Sequence, residues 1–577
     1  MMMVVVMVLA ACSGNNNNTA EPANTPAPAE TNTPANTPEE PAAADEEKND
    51  GIFPATDKSL NPKVALNRTD TIVIGMTSPK GIFSPFFWET AYDRYVVDAV
   101  FNSFLVLQGD GTYGNQLAES VEVSEDGKKY TYKLKPGVTY SDGTPVTVHD
   151  YVFAMKVYHD KSYDGSTDIL SENIVGGRDY YDGKTDEIAG LKVIDDLTIE
   201  IEVTEPTAFT KDSLGSLYFV PASYYGKDYK FGSLDSVKAL NDKPIGSGPY
   251  TVKSFSPGQE VVLEANENYF AGAPKVKNVV YKSTTDETKL AMLQSGEIDM
   301  DMVTVNEDTV EELQAMGFLD INIFPTNGYG YVAFNINQDK FKDVKVRQAL
   351  TIGLNRAEIT EASYGKYADV INIPQSKESW AYTEEGIEKY EFDLEKAKAL
   401  LDEAGWVVGA DGIREKDGEK FKINFSATAN NPVVDALIPV MINNYQELGI
   451  EFSSETLDFN AIMDKKDKGD FDMFFAAWGL TPDPDSTIYI TDGAQNDTGY
   501  SNPKIDELTL KGKMELDPEK RKEVYKELYQ EWNKDVPAIL MYQRRDMWAI
   551  NSRLTGFDIT PYKNFVLSLH EVEIAQQ

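Results

Sequence analysis

The chain has 577 residues, a formal net charge of −40 and 41% hydrophobic residues, enough for about three or four domains with sizeable cores. That charge argues against DNA, RNA or anionic lipid as a partner, because these ligands need clustered cations. With one Cys and three His, the composition excludes an internal disulfide and a thiolate metal cluster, and it leaves little for imidazole metal sites.

The first twelve residues have the pattern of a bacterial lipoprotein signal. The apolar run 1–11 is shorter than the roughly 20 residues that a membrane-spanning helix needs, but it suits a secretory signal. Leu9-Ala10-Ala11-Cys12 matches the lipobox, in which cleavage leaves an acylated Cys at the new N-terminus. We therefore predict a signal peptide over residues 1–12 and a lipid anchor on Cys12; the alternative is that Cys12 is only a small apolar residue. No basic residue precedes the run, which leaves room for a start of translation upstream of Met1.

The next segment lacks the residues that build a core. Between Ser13 and Gly51 there is no Val, Ile, Leu, Met, Phe, Trp or Tyr, and Asn, Thr, Pro, Ala and Glu fill the stretch. Such a composition cannot offset the entropy of ordering the chain. We predict a disordered tether over residues 13–66, with the folded body beginning near Asn67.

The body alternates strand and helix patterns irregularly, which favours a mixed α/β class. The predicted strands are residues 71–76, 129–134, 198–203, 250–255 and 261–265, the last two joined by a four-residue hairpin loop at 256–259. Three helices are predicted to begin after the capping residues Asp343, Asp393 and Asp517. The chain has no internal repeat of 20–50 residues, which argues against a solenoid or propeller.

A search for catalytic and cofactor motifs finds none that fits. G-x-S-x-G, H-E-x-x-H, the P-loop and the Rossmann fingerprint are absent from the sequence. Residues 464–475 resemble a calcium loop only superficially, because Lys466 and Lys468 occupy ligand positions. We therefore expect neither metal nor cofactor, and a binding protein rather than an enzyme. A glycoside hydrolase with a pair of catalytic carboxylates is not excluded by the sequence, because 94 acidic residues provide pairs at any separation along the chain.

Four ordered blocks resemble one family. They are the 130–155 block with Asp142-Gly143-Thr144-Pro145, the block from Pro244-Ile-Gly-Ser-Gly-Pro-Tyr250 to Asp299, the block from Val332-Ala-Phe-Asn335 to Arg356, and Ala477-Trp-Gly479 with Pro482-Asp-Pro484. Together they are similar to the extracellular solute-binding proteins of family 5, which serve peptide-type ABC importers. The resemblance covers nearly all of residues 70–575.

The resemblance implies a two-lobed α/β fold of the periplasmic-binding-protein kind, with a hinge and an extra subdomain on lobe 1. Mapped onto this chain, lobe 1 covers residues 67–330 and 539–577, with the extra subdomain at about 98–220, and lobe 2 covers 331–538. The two hinge crossings are expected near 326–331 and 537–542. Closure of the lobes around a ligand would be a hinge motion. Gly246 and Gly248 are expected to serve backbone turns, and Arg347 to pair with a carboxylate beside the hinge.

Peptide recognition in this family resembles β-augmentation, in which an extended ligand pairs its main chain with strands of the protein. The matching segments are residues 474–479 of lobe 2, with Ala477, Trp478 and Gly479, and residues 78–87 of lobe 1. Trp478 would give a flat apolar wall, with Trp380 as a further wall residue. Phe83, Phe86 and Trp88 would line the opposite side. The alternative for these aromatic residues is ordinary core packing.

The amine anchor of the family departs from its usual pattern here. In di- and oligopeptide binders an Asp three residues after the motif Trp pairs with the α-ammonium of the ligand, and this chain has Thr481 there. Asp483 or Asp485 could substitute, because a carboxylate pairs well with an ammonium. Otherwise the ligand lacks a free amine.

The function that these observations favour is a lipid-anchored receptor that captures oligopeptides by lobe closure and delivers them to an ABC permease. It would act as a monomer on the outer face of a bacterial cell membrane. One alternative keeps the fold and binds an oligosaccharide, stacked on Trp380 and Trp478, or another small solute. Nickel and haem fit less well because His ligands are few. Rivals from other classes are a secreted hydrolase that uses paired carboxylates and a surface protein that has lost transport.

Overall fold

A computed structural model of the protein describes residues 50–429, 431–484, 487–491, 493, 495–496 and 498–575. The predicted signal peptide and Cys12 lie outside these residues, as does Asp485. In chain order the strands of the described residues are β1 (Gly51–Phe53), β2 (Thr71–Met76), β3 (Leu105–Leu107), β4 (Tyr113–Asn115), β5 (Ala118–Val123), β6 (Lys129–Leu134), β7 (Leu191–Asp195), β8 (Thr198–Glu202), β9 (Tyr250–Ser256), β10 (Glu260–Ala265), β11 (Asn278–Ser283), β12 (Met300–Val303), β13 (Leu319–Pro325), β14 (Gly328–Phe334), β15 (Ala368–Asp369), β16 (Val407–Val408), β17 (Arg414–Lys416), β18 (Glu419–Lys420), β19 (Lys422–Thr428), β20 (Glu451–Leu457), β21 (Met473–Gly479), β22 (Ala538–Asn551), β23 (Leu554–Thr555) and β24 (Glu573–Ile574).

The helices of the same residues fall between these strands. They are α1 (Lys63–Leu66), α2 (Ala91–Val100), α3 (Val148–Tyr158), α4 (Gly177–Tyr181), α5 (Thr210–Gly215), α6 (Ala222–Tyr225), α7 (Asp235–Lys238), α8 (Lys289–Ser295), α9 (Glu307–Met316), α10 (Asp339–Lys342), α11 (Val344–Ile352), α12 (Arg356–Tyr364), α13 (Leu394–Glu403), α14 (Pro432–Glu447), α15 (Phe459–Asp467), α16 (Pro503–Met514) and α17 (Pro518–Asp535). Short 3-10 helices cover Lys58–Leu60, Ile169–Glu172, Gly365–Tyr367, Thr487–Tyr489 and Phe565–Glu571.

One large sheet runs through both lobes. Its main path is β20-β19-β21-β14-β22-β12-β2-β11-β10-β9, with β1, β13 and β15 attached at the side. The first half of β22 pairs with β14 of lobe 2, and its second half pairs with β12 and β13 of lobe 1. The chain crosses between the lobes once between β13 and β14 and once inside β22. A separate four-stranded sheet, β5-β6-β8-β7, falls within the range expected for the extra subdomain.

The lobe 2 part of the sheet is covered on both faces. Alternate residues of β14 enter two different cores, with Val332 and Phe334 in one and Tyr331 and Ala333 in the other. All seven residues of β14 are buried. A strand covered on both sides is apolar throughout, because both sets of side chains leave water.

The local patterns give the expected elements at several places. β2 and β6 have the predicted bounds. Asp343, Asp393 and Asp517 each accept a hydrogen bond from a backbone N–H in the first turn of α11, α13 and α17. These carboxylates satisfy donors that have no partner inside the helix.

Ordered structure begins earlier than the expected start near Asn67. β1 pairs antiparallel with β13, and Ala65 is fully buried. Asn61 and Asn551 exchange side-chain hydrogen bonds of 2.6 and 3.0 Å. Residues 51–66 are therefore not part of a disordered tether, because main-chain pairing and amide contacts hold them against lobe 1. Unlike residues 13–50, they also include large apolar residues such as Ile52, Phe53 and Leu60.

The hinge crossing expected near 537–542 stays a prediction. β22 pairs with β14 up to Tyr542, with β15 at Gln543 and Arg544, and with β13 from Arg545 onward.

Two further expectations need correction. Ser256 pairs with Glu260, so the hairpin loop has three residues rather than four. Arg347 pairs with no carboxylate of the described residues; it donates to the main-chain carbonyls of Phe341, Lys342, Asp535 and Val536, which fixes the end of α17 beside α11.

Candidate functional site

A cavity of about 730 Å³ lies at the junction of the two lobes. Lobe 1 contributes Asp286, Thr304 and Asn306, and lobe 2 contributes Tyr364, Asn431 and the end of β21. Both hinge segments reach it, one through residues 326–330 and the other through Tyr542 and Arg544. A ligand in this cavity would contact both lobes and both crossings at once.

The end of β21 presents main-chain groups to the cavity. Leu480 N donates to Asn327 O (2.8 Å) and Asn335 N donates to Asp472 O (2.9 Å), which fixes the phase of the antiparallel ladder between β21 and β14. In that phase the N–H and C=O groups of Ala476 and Trp478 point to β14, whereas those of Ala477 and Gly479 point the other way.

On that other side the neighbouring strand stops short. β19 pairs with β21 only at Met473 and Phe474, so no described strand continues the ladder beside Ala477 and Gly479. Both residues are exposed and line the cavity. We call the outward main-chain groups of Ala477 and Gly479 the open edge. An open strand edge pairs with any extended chain that reaches it.

Trp478 lines the same cavity from the opposite face of the strand. Its ring stacks on Tyr331 with centroids 6.2 Å apart and an interplanar angle of 7°. The side chain is half-buried, and Nε1 is buried without a hydrogen-bond acceptor in the described part of the chain. Trp478 therefore packs partly against the core of lobe 2 and also forms part of the cavity wall. These are the two alternatives that the sequence left open.

Charged groups in the cavity come from the middle of β22. Arg544 and Asp546 form an ion pair of 3.4 Å, and both line the cavity. Burial raises the pKa of Asp546, and the nearby Arg544 opposes that shift. The sequence reasoning missed these residues. A signal was present, because Gln543-Arg544-Arg545-Asp546 interrupts an otherwise apolar strand.

Asp483 has a partner outside this cavity. Its two carboxylate oxygens each accept a hydrogen bond of 2.9 Å from Arg521 of α17. The Arg521 guanidinium lies 4.9 Å from the ring centroid of Trp380 and also contacts Tyr525. We call Asp483, Arg521, Trp380 and Tyr525 the Arg521 cluster. Within it Asp483 is neutralised by a fork-shaped pair.

The other residues expected at the site separate into two groups. Thr481 donates to Asp483 O (2.6 Å) and lines a second cavity of about 470 Å³, together with Trp88. Phe83 and Phe86 are core residues of lobe 1 rather than cleft walls, with 0% and 2% exposure. Phe83 packs on Phe255 and Phe86 on Tyr158. The sequence pattern of Phe83 and Phe86 also fits a cleft wall, because sequence alone does not show which side of the segment faces water.

Within the described ranges, no group of three or more His, Cys, Asp or Glu residues is arranged to hold a metal ion. The helices of those ranges include none that is long and apolar enough to cross a membrane.

Comparisons with known proteins agree with this architecture. The model of the middle region of the bacterial extracellular solute-binding proteins, family 5, matches residues 112–499. The chain is 30% identical over 463 residues to the oligopeptide-binding protein AppA of Bacillus subtilis (strain 168), covering 78% of this chain and 81% of that protein. It is 24% identical over 477 residues to the oligopeptide-binding protein OppA of the same organism, covering 80% and 85%.

A solved structure extends the likeness to the fold. Bacillus subtilis AppA in complex with a nonapeptide superposes with a TM-score of 0.75 at 26% identity, covering 88% of this chain and 99% of that chain. The shared fold is the two-lobed one that the strand order of the present protein shows.

Proposed function

Because the chain belongs to the bacterial extracellular solute-binding proteins of family 5, we propose that it binds oligopeptides between its lobes and delivers them to an ABC importer. The observation that carries the peptide assignment is the open edge inside the 730 Å³ cavity. An extended peptide has the matching donors and acceptors at every second residue, whereas a sugar or a metal complex does not repeat them at that spacing.

Main-chain pairing supplies affinity without reading side chains. The open edge offers the N–H and C=O groups of Ala477 and Gly479, and neither residue has a side chain that would fill the cavity. A Cβ added at Gly479 would meet no atom within 4 Å. The cleft therefore has room beside the strand for ligand side chains of different sizes.

The oligosaccharide alternative depended on two tryptophans facing one ligand. Trp478 lines the cavity, but Trp380 stacks with Arg521 and is not among the residues lining the cavity, although 37% of it is exposed. One Trp face already stacks on Tyr331. The aromatic arrangement thus favours a peptide, with Trp478 as a side wall.

We further propose that the protein is held at the outer face of the cell membrane through Cys12 and acts as a monomer with a membrane permease. The lipobox and the core-poor segment that follows it support this placement. The family is extracellular by its description, and it is a solute-binding family. We expect binding without turnover of the ligand.

Native mass spectrometry of the protein expressed in rich medium tests the function. A heterogeneous set of co-purified masses that fragment as peptides is the expected result. Masses spaced by hexose units would replace the peptide assignment by the oligosaccharide one. Hydrolysis products appearing on incubation with peptides or glycans, with loss of turnover on removing cleft acids, would replace binding by catalysis.

A further inference from the structure

A third cavity, of about 310 Å³, opens in lobe 1 beside the cleft. Asp286 lines both this cavity and the 730 Å³ one, so the two adjoin. Tyr92 and Trp548 form aromatic walls, and Asp301 of β12 lies among the lining residues. The sequence blocks that carry the family resemblance assign no role to Asp301.

Asp301 is a buried carboxylate, with 3% of its surface exposed. Its Oδ2 accepts a hydrogen bond of 2.8 Å from Thr284 Oγ1. Gly75 of β2 makes the space for it, because a Cβ at that position would lie 2.2 Å from the same oxygen. The backbone of lobe 1 is therefore shaped around this carboxylate.

Asp301 has no ion-pair partner among the described residues, although Lys289 lines the same cavity. Lys289 is the basic residue of the cavity, and its Nζ is engaged by Asp286 (2.8 Å) and by Met302 O (2.9 Å). Among the described residues no Lys, Arg or His nitrogen forms an ion pair with Asp301 within 4.0 Å. Burial raises the pKa of Asp301, and the Thr284 hydrogen bond and the charge of nearby Lys289 oppose that shift without cancelling it.

We propose that the 310 Å³ cavity is a subsite for a cationic group of the bound peptide, with Asp301 as its counter-ion. The cation is an alkylammonium or guanidinium, supplied either by a Lys or Arg side chain or by the free N-terminus. The rings of Tyr92 and Trp548 line the cavity, and an aromatic ring attracts a cation placed over its face. This inference rests on the proposed peptide-binding function and adds the charge of the preferred ligand.

The test uses matched pentapeptides in titration calorimetry. One set is N-acetylated and carries a single lysine at each position in turn, a second has norleucine in its place, and a third has a free N-terminus with norleucine. In the wild-type protein we expect one lysine position, or the free amine, to bind about 10- to 100-fold more tightly than its neutral counterpart. The position or terminus that shows the effect identifies the source of the cation.

The variant Asp301→Asn keeps the shape and the Thr284 contact but removes the charge. It should abolish that preference while leaving the affinity for the neutral peptides unchanged. Glu297→Gln is the matched control, because this exposed lobe 1 carboxylate pairs with Lys282 and lines neither cavity; it should keep the preference to within about threefold.

Equal binding of charged and neutral peptides by the wild-type protein would overturn the subsite without any variant. A preference that survives in Asp301→Asn would overturn it as well. In both cases peptides still bind, so the proposed function stands. If none of the peptides binds the wild-type protein, and the longer nonapeptides fail too, the proposed function fails and the subsite with it.

Discussion

The open edge and the Arg521 cluster follow one another in the chain, and their polar groups are in opposite states. Ala477 and Gly479 turn main-chain groups toward the cavity that pair with no strand of the described residues, beyond the last pairing of β19. A few residues later the Asp483 carboxylate is held by both terminal nitrogens of Arg521, under the ring of Trp380. The main-chain groups of the open edge are available to a ligand, whereas the Asp483 carboxylate already has a partner within the protein.

The open edge and the Arg521 cluster therefore have different roles, although the same stretch of sequence motif contains Ala477, Gly479 and Asp483. A carboxylate with a bidentate Arg partner contributes to the stability of lobe 2, and its charge is already neutralised by Arg521, so it attracts a ligand ammonium less strongly than a free carboxylate would. An open strand edge contributes little to stability and is available for association. Substitutions in the Arg521 cluster should therefore change stability, and substitutions at the open edge and its Trp wall should change affinity.

The largest effect is expected from Arg521→Met. The side chains of Arg521 and Asp483 are 9% and 19% exposed, so the change leaves a largely buried carboxylate without its cation. We expect the free energy of unfolding to fall by about 3 kcal/mol in denaturant titrations. Lys520→Met, next to it in α17, removes an exposed pair with Asp517 and should change stability by less than about 0.5 kcal/mol. A loss as small as that of the control would mean that the cluster is not a stability element.

Trp478→Ala and Trp380→Ala compare the two tryptophans. Trp478 lines the cavity, so its loss should weaken peptide binding about 10- to 30-fold, through lost contact area, with a melting temperature within a few degrees of wild type. Trp380 covers Arg521, so its loss should lower the melting temperature and leave peptide affinity unchanged. Calorimetric titration and a thermal scan on each variant check both halves. The reverse pattern would exchange the roles assigned to the two regions.

The smallest effect concerns Asp301, a buried carboxylate that forms no ion pair within 4.0 Å among the described residues. Burial raises its folded-state pKa above the ordinary 3.8, so the folded protein holds this proton more tightly than the unfolded chain. The resulting contribution to stability is present below about pH 3.8 and is lost as the pH rises through the raised value. Asp301→Asn should therefore be more stable than wild type at neutral pH, on the order of 1 kcal/mol, and equal to it in acid.

Asp483→Asn is the matched opposite of that variant, because its carboxylate is paired. It should lose stability at neutral pH, where Asp301→Asn gains it. Denaturant titrations of both variants at neutral and acidic pH separate the two cases. The same sign for both variants would show that pairing with Arg521 does not distinguish the two acids.

Much of the fold follows from local patterns in the sequence. Alternation gave β6, a short apolar run gave β2, and Asp393 before an amphipathic stretch gave α13. The start of lobe 1 did not follow, because residues 51–53 are ordered by pairing with β13, which lies far along the chain. Pairing between distant segments has no local signature.

The candidate site was predictable only in part, for the same reason. The motif at 477–479 points to the strand that lines the cavity, while its ligand contacts stay a prediction. The sequence around Asp483 does not indicate that its carboxylate forms an ion pair with Arg521 of α17. Phe83 and Phe86 have the residue types of a wall but the burial of a core. Arg544 and Asp546 interrupt the apolar pattern of β22 with charged residues, but hydrophobic periodicity alone assigns no role to such an interruption.

The most direct measurement is peptide affinity of Ala477→Pro beside Ala476→Pro. Proline removes one backbone N–H, which faces the cavity at Ala477 and pairs with Tyr331 of β14 at Ala476. We predict that Ala477→Pro binds oligopeptides at least about 10-fold more weakly with an unchanged melting temperature, whereas Ala476→Pro loses stability. Wild-type affinity in a folded Ala477→Pro protein would contradict main-chain pairing at the open edge.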